Sequence, residues 1–294
     1  MNCNNFVGAW CPSVTPFTVD NKIDYVALEK HYKRLEDSGI NGILVMGSIG
    51  EFATLGLEER FELIERARKL TNLPLIAHTS ATCVADIVTM SKKAQECGYE
   101  AVMILPHYYY GQTEEQILEY YLDIDSQIDI PWFIYNFPAR TGCDVGASLV
   151  VELIKKCPNF IGIKDTVDTL SHTRAIVLQA KAARADFSIL AGYDEYLAPN
   201  LLNGGDGVLS GLTNLVPEIF TSIIEAYKDN DLVTVSENHQ KLSQLMSIYS
   251  IGNDFVTTIK TAVSRKYGYM EGHSRNYAGE HNAEQLQEID KMFE

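Results

Sequence analysis

Val102-Met103-Ile104-Leu105 and Ile43-Leu44-Val45-Met46 are apolar at every position. A strand with one wet face alternates apolar and polar side chains, whereas a strand covered on both faces does not. Each stretch therefore reads as a buried strand of a parallel sheet. Six further apolar runs lie at residues 7–14, 73–79, 130–136, 160–164, 187–192 and 207–211, and segments of helical period separate them. Asp24 can N-cap a helix carrying Val26, Leu28, Tyr32 and Leu35, with Gly39 closing it. Thr113-Glu114-Glu115-Gln116 has capping-box spacing ahead of Ile117, Tyr121 and Ile124. Val84, Ile87, Val88 and Ala94 form a stripe ending at Gly98, and Pro217 opens a helix through Ile219, Phe220 and Ile224. Eight β units, each followed by a helix, predict a parallel (β/α)8 TIM barrel over residues 1–228. Residues 229–294 read as a C-terminal helical region, with helices expected at 232–249, 254–267 and 283–293.

The chain of 294 residues has 39 acidic and 24 basic side chains, a formal net charge of −15. Such a balance argues against nucleic acid, whose phosphates need Lys and Arg, and against an anionic membrane surface. By length alone the chain is long enough for two domains, but an α/β barrel fills it as one. Met1-Asn2-Cys3-Asn4-Asn5 has neither a basic nor an apolar leader region, and no apolar run reaches the ~18 residues of a membrane span. Six scattered cysteines, Cys3, Cys11, Cys83, Cys97, Cys143 and Cys157, fit reduced thiols. A cytoplasmic protein is expected. The acidic excess is assigned to solvated helix faces.

In a parallel barrel the chemistry sits at the C-terminal ends of the strands. Those ends read Gly47-Ser48-Ile49-Gly50-Glu51, His78-Thr79-Ser80, Pro106-His107-Tyr108-Tyr109-Tyr110, Tyr135-Asn136-Phe137-Pro138-Ala139-Arg140, Lys164-Asp165-Thr166, Gly192-Tyr193-Asp194-Glu195 and Ser210-Gly211. Lys164 follows Phe160-Ile161-Gly162-Ile163, so its stem emerges from an apolar interior. An amine partly removed from water loses its charge more readily, and a neutral amine forms Schiff bases with ketones. A solvated strand-end lysine is the plainer alternative. Asp165 is not expected to pair with it, because neighbouring strand residues face opposite sides. Tyr135 could shuttle a proton at a carbonyl carbon or pack as an ordinary core aromatic. The Gly47–Glu51 segment could offer N–H groups to a carboxylate, with Ser48 as relay, or be a plain tight turn. Arg140 could clamp a carboxylate or form a surface ion pair. Tyr108-Tyr109-Tyr110 could be core or interface packing. Asn203-Gly204-Gly205-Asp206-Gly207 fits a helix end and turn better than a phosphate loop. The seven histidines supply no metal-ligand motif.

Taken in order, these segments resemble the pyruvate-dependent Schiff-base aldolases, the family of dihydrodipicolinate synthase, N-acetylneuraminate lyase and 2-keto-3-deoxygluconate aldolase. The likeness runs from Gly8-Ala9-Trp10-Cys11-Pro12 to the C-terminal helices. Gly47-Ser48-Ile49-Gly50-Glu51 is similar to the family's carboxylate-binding motif, Tyr135-Asn136-x-Pro to its catalytic tyrosine motif, and Gly162-Ile163-Lys164-Asp165 to the stretch bearing the imine-forming lysine. The resemblance implies catalytic roles for Lys164, Tyr135, Ser48 and Tyr108. It also implies that Tyr108 is lent to a neighbouring subunit, in a homo-oligomer built as a dimer of dimers. The substrates implied are a small 2-keto acid and an aldehyde, with no cofactor and no metal.

For substrate binding the candidates are Gly47, Ile49, Arg140, Gly192, Asp194, Glu195 and Ser210. Arg140 stands where dihydrodipicolinate synthases bind an aldehyde's carboxylate, while Ile49 departs from the Thr-Thr pair of those enzymes. Gly192-Tyr193-Asp194-Glu195 resembles the polyol-binding stretch of the neuraminate lyases, but Gly211 replaces a serine common there. Tyr135-Asn136-Phe137-Pro138-Ala139 and Ile163-Lys164-Asp165-Thr166-Val167-Asp168 look most like the 2-keto-3-deoxy sugar-acid aldolases. The leading expectation is reversible cleavage of such an acid to pyruvate and an aldehyde. Alternatives are dihydrodipicolinate synthase, N-acetylneuraminate lyase, a metal-dependent aldolase, and a non-catalytic sensor of 2-keto acids.

Overall fold

Strands β1 (Gly8–Pro12), β2 (Gly42–Val45), β3 (Leu75–His78), β4 (Ala101–Ile104), β5 (Trp132–Asn136), β6 (Phe160–Asp165), β7 (Ser188–Ala191) and β8 (Gly207–Leu209) follow one another around a closed barrel. The computed structural model describes residues 6–293, so Cys3 and the expected leaderless N-terminus lie outside the described residues. The pairings run parallel, with Tyr135 beside Lys164 and Asn136 beside Asp165 across β5 and β6. Every strand residue is buried, as the unbroken apolar runs require. The helices are α1 (Tyr25–Asp37), α2 (Leu57–Leu70), α3 (Val84–Glu96), α4 (Glu114–Asp125), α5 (Pro138–Thr141), α6 (Ala147–Lys156), α7 (Leu170–Ala183), α8 (Leu197–Leu202), α9 (Pro217–Lys228), α10 (Leu232–Leu245), α11 (Phe255–Tyr267) and α12 (Ala283–Lys291). The fold is a (β/α)8 TIM barrel followed by a C-terminal helical extension.

Local chemistry sets the helix ends. The Asp24 carboxylate accepts from the Val26 and Ala27 N–H groups, and Gly39 takes φ +77° beyond the other end of α1. Thr113 and Gln116 form the reciprocal capping box of α4, and Gly98 at φ +79° follows α3. The Asn203–Gly207 stretch is a turn: Gly204 has φ +92°, and the Asp206 carboxylate accepts from the Ile189 N–H and the Lys181 ammonium, each at 2.8 Å. The expected helix over 232–249 is shorter. It stops at Leu245 and tightens into a 3-10 turn over Met246–Ser250. Tyr109 and Tyr110 are not core residues, being 84% and 68% exposed. The described cysteines form no disulfide with one another.

Two compact units make up the chain. One comprises the residues up to Gly8 with Pro74–Leu209, the other Ala9–Leu73 with Ser210–Glu294. The first has an aromatic column at its core. Trp132 stacks on Tyr121 and Phe160 at centroid separations of 5.3 and 4.5 Å, and Phe160 meets Phe187 edge-on at 4.9 Å. The Trp132 indole N–H donates to Asp125 at 2.7 Å.

Asn214 ties the second unit together. Its Nδ2 donates to the carbonyls of Pro12 and Gly211 at 3.1 and 3.0 Å, and its Oδ1 accepts from the Val14 N–H at 3.1 Å. The same oxygen lies 3.0 Å from His31 Nε2, which must then carry the ring proton, while Nδ1 accepts from the Tyr269 hydroxyl. Burial holds this imidazole neutral, its pKa pulled down to about 3. Replacing Asn214 by Ala would strand the Val14 N–H and two carbonyls. We expect a loss of about 2–4 kcal/mol of stability, measured as a lowered urea midpoint with an unchanged slope.

Candidate active site

Lys164, next to last in β6, is only 4% exposed, with Nζ 4.0 Å from the centroid of the Tyr135 ring. The register of β5 and β6 puts these two residues side by side, so both side chains project from the same face of the sheet. His78, from β3, meets the Tyr135 ring edge-on at 5.9 Å. Its Nε2 is 2.9 Å from Ser80 Oγ, which in turn accepts from the Leu105 N–H at 2.7 Å. A buried histidine thus backs the tyrosine and is itself held by a hydroxyl anchored on the neighbouring segment.

The alternate residues of the same strands face the opposite way. The Asp165 carboxylate accepts from Asn136 Nδ2 at 3.1 Å and from Thr173 Oγ1 at 2.6 Å, and pairs with His172 Nδ1 at 3.1 Å. It is therefore committed to α7, leaving Lys164 to its own face as the alternation predicts. His172 Nε2 makes an ion-pair contact with Asp144 at 3.2 Å that is not aligned as a hydrogen bond. Asp144 and then Asp165, both beside the ring, raise the His172 pKa to about 10. Asn136 completes the network, donating to Asp144 at 3.0 Å and accepting from the Val145 N–H at 3.1 Å. The strands bearing Tyr135 and Lys164 are thus pinned from behind by a charged imidazole between two carboxylates.

Gly192 follows β7 and packs tightly against the residue after β6: a Cβ there would overlap the Thr166 side chain. The Thr166 hydroxyl is buried and has no protein partner. Asp194 is 2% exposed, and one Glu195 oxygen is buried without a hydrogen bond. Burial raises the Glu195 pKa above the usual carboxylate range. Tyr108 is half-buried after β4, followed by Tyr109 in the left-handed region at φ +89°. Arg140 is exposed on the single turn of α5.

In the other unit, the Gly47–Glu51 loop is bracketed by two non-glycine residues in left-handed conformation, Met46 at φ +61° and Glu51 at φ +58°. Each such residue costs about 1–2 kcal/mol, so something must hold the loop in place. Thr15 Oγ1 donates to the Gly50 carbonyl at 2.7 Å, and a Cβ at Gly50 would come within 2.9 Å of the Ser13 carbonyl. The strongest restraint is the Glu51 carboxylate. Lys260 Nζ, from α11, donates to Oε1 at 2.6 Å, with the two side chains 0% and 2% exposed. The Arg275 N–H donates to Oε2 at 2.8 Å. The Phe17 ring is close to both cations, 4.1 Å from Lys260 Nζ and 4.2 Å from the Arg275 guanidinium carbon. Burial pulls the Lys260 pKa down to about 8 against the opposing pull of Glu51. Ser48 and Ile49 ride on this braced loop. Ile49 also reaches Gly211, whose neighbour Ser210 is buried with its hydroxyl unpartnered.

Of the candidate residues, Lys164 and Tyr135 are in contact, Gly192 packs against Thr166, and Ile49 reaches Gly211. The motif reading did not single out Lys260, Arg275, His172, Asp144, His78 or Thr166 as site residues. Lys260 pairs with a residue 209 positions away, so no spacing could signal it.

These features define a (β/α)8 barrel with a buried lysine near the C-terminal end of a strand. A profile of the Dihydrodipicolinate synthetase family matches residues 5–294, and the chain belongs to that family. It is 33% identical over 260 residues to a putative 2-dehydro-3-deoxy-D-gluconate aldolase, YagE, of Escherichia coli, covering 88% of this chain and 86% of the relative. It is 30% identical over 257 residues to a probable 2-dehydro-3-deoxy-D-pentonate aldolase, YjhH, of the same organism, covering 87% and 85%. The crystal structure of YagE in complex with pyruvate is similar at a TM-score of 0.95 and 30% identity, over 98% of this chain and 97% of that one. Dihydrodipicolinate synthase from Aquifex aeolicus is similar at 0.91 and 27% identity, over 98% and 97%. The protein is a lyase. Among the described residues no helix is long and apolar enough to cross a membrane.

Two expectations follow from the bracing groups. A histidine whose folded pKa lies above its unfolded value stabilises fully below about 6.5 and loses that contribution as pH rises through its folded value. For His172 the loss should run from about 6.5 to about 10. Melting curves across that range should fall more steeply for the parent than for His172→Gln. Lys260→Met would leave the buried Glu51 carboxylate without its ion-pair partner, a cost of about 3–5 kcal/mol measured by chemical denaturation.

Proposed function

We propose that the protein is a class I aldolase that joins Lys164 to pyruvate, or to a longer 2-keto acid, as a Schiff base. The preferred reaction is reversible cleavage of a 2-keto-3-deoxy sugar acid into pyruvate and an aldehyde. The observation that carries this reading is the buried Lys164 amine packed 4.0 Å from the Tyr135 ring at the ends of adjacent strands. The names of YagE and YjhH support it, as does the pyruvate in the YagE crystal structure.

In this reading the neutral amine adds to the ketone carbon and water leaves, giving an imine that gains a proton. The C4 hydroxyl gives up its proton through Tyr135, the C3–C4 bond breaks, and its electron pair moves into the imine as an enamine. The aldehyde departs, C3 is protonated, and water releases pyruvate from the lysine. Ser48 and the neighbouring Gly47 and Ile49 backbone hold the carboxylate. Tyr108, lent by a second subunit, relays the proton within a dimer of dimers. Arg140, Gly192, Asp194, Glu195 and Ser210 receive the aldehyde half. Residues 1–228 carry the chemistry and 229–294 brace it. With its cysteines reduced, the protein works in the cytoplasm.

A second reading, condensation of pyruvate with aspartate semialdehyde, is favoured by Arg140, whose guanidinium suits a second carboxylate. Borohydride added with pyruvate should leave a reduced adduct on Lys164, detected by mass spectrometry and abolished in Lys164→Ala. Tyr135→Phe should still form the adduct but lose roughly 10²–10⁴-fold in aldol turnover. No adduct on the parent protein would reject both readings, while a panel of glyceraldehyde and aspartate semialdehyde decides between them.

A further inference from the structure

Gly211 follows β8 and opens a 3-10 turn over Gly211–Asn214. It has no room for a side chain. A Cβ there would overlap the hydroxyl of Tyr249 and lie 2.7 Å from Ile49 Cδ1, with Tyr249 Cζ at 3.3 Å. Gly211 stands at the C-terminal end of strand eight and Ile49 just beyond strand two, the rim where barrels of this kind bind substrate. Tyr249 therefore reaches from the helical tail onto that rim.

Its placement is firm. It belongs to the 3-10 turn Met246–Ser250, and Ile248 and Ile251 on either side are 0% and 3% exposed. Its ring lies 6.3 Å from Phe255, the first residue of α11, the helix that also carries Lys260. Tyr249 itself is half-buried. Beside it is the buried, unpartnered hydroxyl of Ser210, a group suited to bind a substrate hydroxyl.

We propose that Tyr249 limits substrate length: its ring fills the space beside Gly211 and Ile49, so that short polyhydroxy aldehydes are accepted and bulky hexose derivatives are excluded. This rests on the aldolase reading and deepens it by fixing the class of aldehyde. Filled volume acts on specificity by steric exclusion, so removing the ring should admit the longer partner while doing little for the shorter one.

The test compares kcat/KM for glyceraldehyde and for N-acetylmannosamine, each with pyruvate, in the parent, Tyr249→Ala and Tyr249→Phe. Tyr249→Ala should shift the ratio toward the longer aldehyde by about tenfold or more. Tyr249→Phe keeps the ring and should leave the ratio near the parental value. An unmoved ratio in Tyr249→Ala, or an equal shift in Tyr249→Phe, overturns the proposal. Should Tyr249→Ala fail to fold, Tyr249→Leu makes the same comparison. The geometry has its own readout: Gly211→Ser should lower Tm, and adding Tyr249→Ala should restore it. A Gly211→Ser protein as stable as the parent also overturns the proposal. Borohydride trapping of the parent separates the two failures, since an adduct with an unmoved ratio sinks only the length limit, whereas no adduct sinks the aldolase reading as well.

Discussion

A carboxylate and an ammonium, both out of water and 2.6 Å apart, hold the Gly47–Glu51 loop in shape. Removing two charges from water costs several kcal/mol per ion, recovered only when the geometry is good and the remaining polar atoms are satisfied. Both conditions hold at Glu51 and Lys260. One carboxylate oxygen takes the lysine, the other takes the Arg275 N–H, and Phe17 presents its ring to both cations. The pair also compensates for two left-handed residues that would relax in a free loop. Because Lys260 lies on α11, the C-terminal extension is a structural part of the loop that bears Ser48, and not an appendage to it.

The same logic recurs behind Lys164. Asp165 and Asp144 share a protonated His172, and Asn136 bonds to both carboxylates. Glu51 is answered locally by Lys260, Asp165 by His172 and, at the start of β8, Asp206 by Lys181. Much of the excess behind the overall charge of −15 is spread over solvated helices such as α4, with Glu114 and Glu115 exposed in its first turn.

What the sequence made legible was whatever depends on near neighbours. Unbroken apolar runs marked the strands, and Asp24, Thr113, Gly39, Gly98 and Pro217 marked helix ends, because capping is settled within about four residues. Alternation sufficed to separate Lys164 from Asp165. Long-range partners left no trace: nothing in the α11 sequence Phe255-Val256-Thr257-Thr258-Ile259-Lys260 distinguishes a buried ion-pair lysine from a solvated one. Helical periodicity likewise ran through Tyr249, although the chain tightens after Leu245. Hydrophobicity left core and interface packing both open for Tyr108-Tyr109-Tyr110, and the exposure of Tyr109 and Tyr110 removes the core alternative for those two.

The aromatic column has a practical corollary for spectroscopy. The chain contains two tryptophans, Trp10 and Trp132, and both are fully buried. Trp132 begins its strand, at the opposite end of β5 from Tyr135, stacked between Tyr121 and Phe160. Trp10 lies against Gly42, where a Cβ would overlap the indole. Neither indole has solvent to exchange for a ligand. Their emission is a gauge of barrel integrity, blue-shifted while the core is dry, and a nearly blind observer of what binds at the strand ends. Optical detection of ligands falls instead to the tyrosines that crowd the rim.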